Sequence, residues 1–352
     1  MSLQRISAQE ALVQLAAYSA VIDARSEGEY AEDCLPGAVN WPSLHDDERK
    51  IVGTRYKQIS QFEAKKLGAA LVAKNIAEHL QREVLDKPKE WQPLLYCWRG
   101  GKRSGSLALV LDQIGFKVTL VDGGYKAFRA ALVADLPQLA KRHHFRVVCG
   151  PTGSGKTRLL QALSKQGAQV LDLEALARHR SSVLGMIPGV AQPSQKTFDS
   201  HIWAALRGFD PARPVYIESE SKKVGNVAVP DGLISAMRAS PCLRLDLAEN
   251  ERVGLLLEDY DFFVRDIEFF CERLSALTEA RGKATVQDWQ ARARSGDVAS
   301  VVRELLVRHY DPGYLQSMQR NFAQYETAQV LMPRNRTAQA MGELAASLLA
   351  AA

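Results

Sequence analysis

The stretch Phe145-Arg-Val-Val-Cys149-Gly150-Pro-Thr-Gly-Ser-Gly155-Lys156-Thr157 decides how the chain is read. Its first five residues have the apolar, β-branched character of a buried strand. The next eight fit G-x-x-x-x-G-K-[ST] in full, and Arg158–Lys165 continues as a helix. A loop of this kind aims backbone N–H groups at a phosphate chain, which Lys156 neutralises while Thr157 is placed to hold a magnesium ion. Gly150, Thr152, Gly153, Ser154, Gly155, Lys156 and Thr157 are therefore the candidate diphosphate-binding residues. Any diphosphate satisfies that geometry, so the loop does not name its ligand.

Outward from the loop, Gln169–Asp172, Pro214–Ile217 and Cys242–Leu245 read as further strands of a parallel α/β sheet. An acidic partner is expected after a later strand. Glu218 and Glu220 offer two carboxylates there, Asp172 with Glu174 a second set, and surface acids at strand ends are the plain alternative. From about Glu251 the pattern turns to helical periodicity, ending in the Ala/Leu-rich Met341–Ala352. Arg273, Arg281, Lys283, Arg292, Arg294, Arg303 and Arg308 in this region suit either nucleic-acid phosphates or a solvated helix face laced with acids.

Upstream, the strand candidates Ala20–Asp23, Pro93–Tyr96 and Lys117–Val121 alternate with the amphipathic stretches Gln61–Ile76 and Arg103–Ile114, which argues for a second parallel sheet. Asp135–His144 reads as a linker in which Pro137 breaks any helix and His143-His144 is solvated. The expected organisation is 1–137, 138–250 and a helical 251–352. In the first segment, Tyr96-Cys97-Trp98-Arg99-Gly100-Gly101-Lys102-Arg103-Ser104 runs from strand through a glycine turn into a helix. The turn gathers N–H groups, the helix N-terminus adds partial positive charge, and Arg99, Lys102 and Arg103 add full charges. All of these favour thiolate over thiol, so Cys97 is the candidate nucleophile and Arg99, Gly100, Gly101, Lys102 and Arg103 its anion cradle.

The 352 residues suit two or three domains. Net charge is +5, with +1 on residues 1–140 and +4 on the remainder, which permits a polyanionic partner without requiring one. No apolar run approaches the roughly 18–20 residues of a membrane span, and Gln9 and Glu10 interrupt any signal-like stretch, so a cytoplasmic location is expected. Of five scattered cysteines, Cys149, Cys242 and Cys271 read as packing, and Cys34 is a candidate second thiol for Cys97. With no CxxC, neither a zinc ribbon nor a disulfide scaffold is expected, and no His/Cys metal set is assigned.

Ile22-Asp23-Ala24-Arg25, Glu29-Tyr30, Leu35-Pro-Gly-Ala-Val-Asn40, the Cys97 loop and Asp122-Gly-Gly-Tyr125 resemble a rhodanese domain in order and spacing. Such a domain fused to a phosphate-loop domain resembles the bacterial tRNA 2-selenouridine synthase family. Supporting segments are Val52–Gln58, Gly123–Ala127, Asp172–Arg180, Glu218–Gly225 and Tyr310-Asp-Pro-Gly-Tyr314. Small sulfurtransferases place the loop arginine five residues after the cysteine, whereas Arg103 is six after Cys97. Rhodanese-fold phosphatases share that longer loop, but Tyr96 stands where their histidine precedes the nucleophile.

The resemblance implies a tRNA-modifying transferase that replaces the sulfur of wobble 2-thiouridine by selenium from selenophosphate. It also implies an S-geranylated intermediate made from geranyl diphosphate, held at the phosphate loop with Mg²⁺ as a candidate counter-ion. Cys97 would then serve the selenium step, as a selenosulfide carrier or by directing selenophosphate. tRNA is the expected macromolecular partner, together with a selenophosphate-producing enzyme, and no membrane is expected. The alternative reading is an ATP- or GTP-dependent tRNA sulfur transferase that uses the rhodanese cysteine.

Overall fold

The computed structural model describes residues 3–182 and 184–351. It divides into two compact units. One comprises the chain up to Leu136 with Ser194–Ala204, the other Pro137–Pro193 with the chain from Ala205 onward.

In the first unit, β1 (Gln4–Ile6), β2 (Ala20–Asp23), β3 (Ala38–Asn40), β4 (Pro93–Tyr96) and β5 (Thr119–Val121) form one sheet in the order β1-β5-β4-β2-β3. All of its pairings are parallel. The central β4 is buried at every position, as an apolar run with helices on both faces requires. Ile22, Leu95, Leu107, Leu111, Phe116 and Val118 build the core beside it. Trp41 stacks on His79 and on Trp91, whose ring meets the edge of Phe116. Asp23 pairs in register with Tyr96, so the chain leaves β2 and β4 side by side at the carboxyl edge, where open α/β sheets place their sites.

The second unit carries β6 (Phe145–Cys149), β7 (Gln169–Leu171), β8 (Val215–Glu218), the hairpin β9 (Lys223–Val224) and β10 (Val227–Ala228), then β11 (Cys242–Leu245) and β12 (Gln329–Leu331). Its five-stranded parallel sheet runs β12-β11-β6-β8-β7. The phosphate-loop strand is central, and β8 beside it delivers Glu218 to the same edge. The region after Glu251 is predominantly helical, and it also returns β12 to the sheet. Helix Ala338–Ala350 lays Met341, Ala345 and Leu348 in one core cluster with Leu159, Leu160 and Leu163 of helix Lys156–Lys165.

Two local expectations are corrected. Pro137 does not break the chain, because one helix runs from Gly124 to Arg142 with the proline inside it. The proline costs about 3 kcal/mol of helix propensity, which the burial of Leu136, Leu139 and Ala140 around it offsets. His143 is buried rather than solvated, with Nε2 2.8 Å from the carbonyl oxygen of Leu206.

Candidate functional site

Cys97 follows the last residue of β4 and is buried. Its Sγ accepts hydrogen bonds at 3.2 Å from the Gly101 N–H and from the Ser104 hydroxyl. The loop closes against the segment after β5: Tyr125 N–H donates to the Cys97 carbonyl (2.8 Å) and Lys126 N–H to that of Trp98 (3.0 Å). This approach requires glycine. At Gly124, where φ is +57°, a Cβ would stand 2.1 Å from the Cys97 carbonyl oxygen. Trp98 stacks on Tyr125.

The structure divides the cationic cradle. Arg99 and Lys102 are exposed, while Arg103 is half-buried and turned onto Glu29, 2.6 Å from Oε2. Burial pulls the Glu29 carboxyl up, yet Arg103 and Arg49 hold it below its ordinary value. Arg25 is wholly buried, donates to both oxygens of Asp23 and to the Asp33 carbonyl, and lies over the Tyr125 ring. Tyr96 donates to Asp23 Oδ2 at 2.7 Å and accepts the Leu35 N–H, so it braces the loop from below. Cys34 is a free thiol, half-buried, its pKa pushed up by burial and by the charges of Asp33 and Asp23.

In the second unit the phosphate loop spans Gly150–Thr157 between β6 and helix Lys156–Lys165. Lys156 Nζ donates to the Gly150 carbonyl (2.8 Å), and Gly150 N–H donates to the Tyr314 hydroxyl (2.5 Å). Gly153 has φ +77°, and a Cβ there would press on Leu256 and on the Arg252 carbonyl. Arg252 holds the loop from that side. Its guanidinium donates to the Thr152 carbonyl and pairs with Asp311. A narrow apolar cavity of about 50 Å³ borders Thr152, walled by Leu256, Tyr260, Phe263, Val298, Val302 and Leu305.

Glu218 and Glu220 do converge, and they are joined by Glu174: one oxygen of each lies within 4.8 Å of the others. Thr157 donates to Glu174 Oε2 at 3.3 Å, which ties the cluster to the phosphate loop. Burial, then the charge of Glu220, pushes the Glu174 carboxyl up to about 8. Burial with the charges of Glu174 and Glu220 pushes Glu218 well up, and Glu220, which accepts from Ser181, is raised by burial. Glu218 Oε2 has no hydrogen-bond partner although it is fully buried. A divalent cation fits this set: it would supply the charge that the packed carboxylates and the orphaned oxygen need, with Thr157 alongside. Asp172 caps helix Leu173–Ala177 by accepting the Ala175 N–H at 2.8 Å, and its charge adds to the push on all three carboxyls.

The C-terminal cations are largely engaged. Arg292, Arg294, Arg303 and Arg308 each pair with a carboxylate, and Arg281 donates to His309. That arrangement is a salt-bridged helix face.

With this geometry in place, comparison with known proteins becomes informative. Residues 143–271 match the family model described as the tRNA 2-selenouridine synthase AAA domain, and residues 7–131 match the rhodanese-like domain. A protein of Aeromonas salmonicida named tRNA 2-selenouridine synthase is 33% identical over 327 residues, covering 85% of this chain and 87% of that one. The chain belongs to the tRNA 2-selenouridine synthase family. A relative of the same name from Nitrosomonas europaea is 39% identical over 244 residues, which span 68% of this chain and 63% of the relative. A third, from Shewanella halifaxensis, is 30% identical and covers 89% of this chain and 93% of its own. Against that family background, Ser104, Arg252 and Tyr314 are the contributors with no role in the sequence reading. Ser104 stood one residue beyond the cradle, Tyr314 lies in the segment Tyr310–Tyr314 that supports the resemblance without naming a role, and Arg252 reaches the loop from far along the chain with no local signal.

Proposed function

We propose that this protein converts 2-thiouridine at the tRNA wobble position into 2-selenouridine in two steps, one on each unit, in the cytoplasm. In the first, the thiocarbonyl sulfur attacks C1 of geranyl diphosphate. The C–O bond breaks, diphosphate leaves, and the ring N3 proton is lost. Gly153, Gly155, Lys156 and Thr157 hold the diphosphate and stabilise the charge that develops on it. Glu174, Glu218 and Glu220 with Thr157 would hold Mg²⁺, which adds positive charge beside that leaving group.

What supports this reading over a nucleotide is the family to which the chain belongs, together with a phosphate loop whose geometry suits any diphosphate. The apolar walls beside Thr152 offer a base little to hydrogen-bond, but the roughly 50 Å³ they enclose does not hold a ten-carbon chain. The carboxylate cluster beside Thr157 is the feature that favours the second reading, a magnesium nucleotide driving sulfur transfer.

In the second step, selenium of hydrogen selenophosphate bonds to C2 of the S-geranylated ring, the C2–S bond breaks and geranyl thiol departs. Water then splits the Se–P bond, giving phosphate and 2-selenouridine. Selenium and sulfur keep their oxidation states throughout. Loading selenium onto the Cys97 thiolate as a selenosulfide would instead require removing two electrons, so Cys97, Gly101 and Ser104 act by orienting the donor. A selenophosphate-producing enzyme supplies that donor.

The test assays Cys97→Ala and Lys156→Ala separately on tRNA bearing 2-thiouridine. The first variant should still geranylate but not install selenium, and the second should not geranylate. The reverse pattern would overturn the assignment. Tight ATP or GTP binding with turnover, and no binding of geranyl diphosphate, would establish the nucleotide reading.

A further inference from the structure

Between β3 and β4 the chain inserts helices Asp46–Gln58 and Gln61–His79, which with helix Lys102–Ile114 enclose an apolar groove of about 650 Å³. Its walls include Val52, Val72, Ile76, Leu80, Leu109 and Val110. Gly68, Ala69 and Ala73 also line it, and such small side chains leave the space open. The volume falls inside the range of about 300–1,000 Å³ usual for small-molecule sites. Exposed Leu109 (49%) and Tyr56 (47%) make its mouth an apolar patch that a soluble surface ordinarily avoids.

One end of the groove has a different character. Lys102 and Arg103 line it, and the next residue, Ser104, donates to Cys97 Sγ. The groove therefore ends at the first turn of the helix that the Cys97 loop opens, in two cations, one of them exposed and the other held on Glu29, while Ser104 and the sulfur lie on another face of that helix. An occupant that matches both ends has a hydrocarbon chain and an anionic neighbourhood. A base or phosphate does not suit the apolar walls, and a plain hydrocarbon does not use the cations.

We propose that this groove binds the geranyl chain of the S-geranylated uridine during selenium transfer. The inference rests on the two-step reading above and deepens it. The chain lies along Val72, Ile76 and Leu109, while Lys102 faces the anions that accompany C2, the selenium donor and the flanking tRNA phosphates. When the C2–S bond breaks, geranyl thiol leaves from an apolar slot that already holds its tail. The groove thereby gives the selenium step a preference for a long S-alkyl group over a short one.

Ala69 and Ala73 are exposed on their helix, so a large side chain there fills the groove with little effect on the fold. Ala69→Phe and Ala73→Phe should be assayed with selenophosphate on two tRNAs, one carrying S-geranyl-2-thiouridine and one carrying S-methyl-2-thiouridine. Thermal unfolding of each variant checks the fold. The expected result is a loss of at least tenfold in kcat/KM on the S-geranyl tRNA, a much smaller change on the S-methyl tRNA, and unchanged geranylation of 2-thiouridine. Unchanged turnover of the S-geranyl tRNA, or an equal loss on both tRNAs, overturns the inference. An equal loss accompanied by a changed oligomeric state would assign the groove to a second copy of the chain. Failure of the unmodified enzyme to convert S-geranyl tRNA would sink the two-step reading itself, and the groove's role with it.

Discussion

Arg252 grips the carbonyl oxygen of Thr152 with two N–H groups, at 3.0 Å from Nε and 2.8 Å from Nη2, while its other edge pairs with Asp311. A helix that begins at Glu249 thus holds the backbone of a loop a hundred residues upstream. Breaking a buried arginine pair costs about 3–5 kcal/mol, and Asp311 is a third exposed, which places this one nearer about 2–3 kcal/mol. Arg252→Ala should lower the midpoint of thermal unfolding by several degrees and weaken diphosphate binding about tenfold or more, read by calorimetry. Arg252→Lys, which keeps the charge but not the fork, should fall between the two. Full affinity in the alanine variant would show that the loop needs no such brace.

The histidines give a pH signature. His79 and His143 are buried, each with Nε2 near a backbone carbonyl (Pro42 and Leu206) and Nδ1 without a partner. Burial lowers both pKa values, because a proton on Nδ1 would place an unpaired charge in the interior. Below about pH 6.5 the unfolded chain takes up protons that the folded chain refuses, so stability is lost as pH falls. Each histidine should contribute a loss that grows as pH falls from about 6.5 toward 5. His79→Gln combined with His143→Gln should flatten the unfolding midpoint between pH 6.5 and 5 relative to the parent. A slope identical to the parent's would place the acid sensitivity elsewhere.

Glu218 tests the carboxylate cluster. Its Oε2 is buried without a partner and its oxygens share space with Glu174 and Glu220. Glu218→Gln removes a carboxyl that burial and its acidic neighbours keep from ionising unless a cation rewards the charge. Metal-free protein should keep or gain stability, while the shift produced by Mg²⁺, about 2.7 kcal/mol at a hundredfold excess over Kd, should disappear. Differential scanning fluorimetry with and without Mg²⁺ reads both. A variant that is destabilised without metal and still responds to Mg²⁺ would mean that the cluster is purely structural.

What was legible in the sequence follows the physics of burial. Ala20–Asp23, Pro93–Tyr96, Phe145–Cys149 and Cys242–Leu245 are strands with the bounds expected of them, because interior parallel strands are near-continuous apolar runs. Gln4–Ile6 and Gln329–Leu331 are edge strands with one buried residue each, so no apolar pattern announces them. The two loops were legible because their chemistry is contiguous, from Cys97 to Ser104 and from Gly150 to Thr157. Long-range partners were not. Nothing near Arg252 says that it will meet Thr152, and between the neighbouring acids Asp172 and Glu174 only the fold decides that the first caps a helix and the second joins Glu218.

The Ser104 hydroxyl gives the last prediction. It reaches Cys97 Sγ at 3.2 Å from the first turn of helix Lys102–Ile114, on the side opposite the exposed Lys102. A hydrogen bond to a charged group is worth about 1.5–3 kcal/mol, and it also fixes where the sulfur points. Here the Gly101 N–H shares the sulfur at the same distance, so Ser104→Ala should leave part of the effect. Alkylation of Cys97 at pH 7, followed by mass spectrometry of its peptide, should slow about three- to tenfold. Selenium incorporation should fall in parallel while geranylation at the phosphate loop stays unchanged. Ser104→Thr, which keeps the hydroxyl, should recover most of the rate. If alanine and threonine behave alike, the hydroxyl only fills space and the Gly101 N–H alone holds the sulfur.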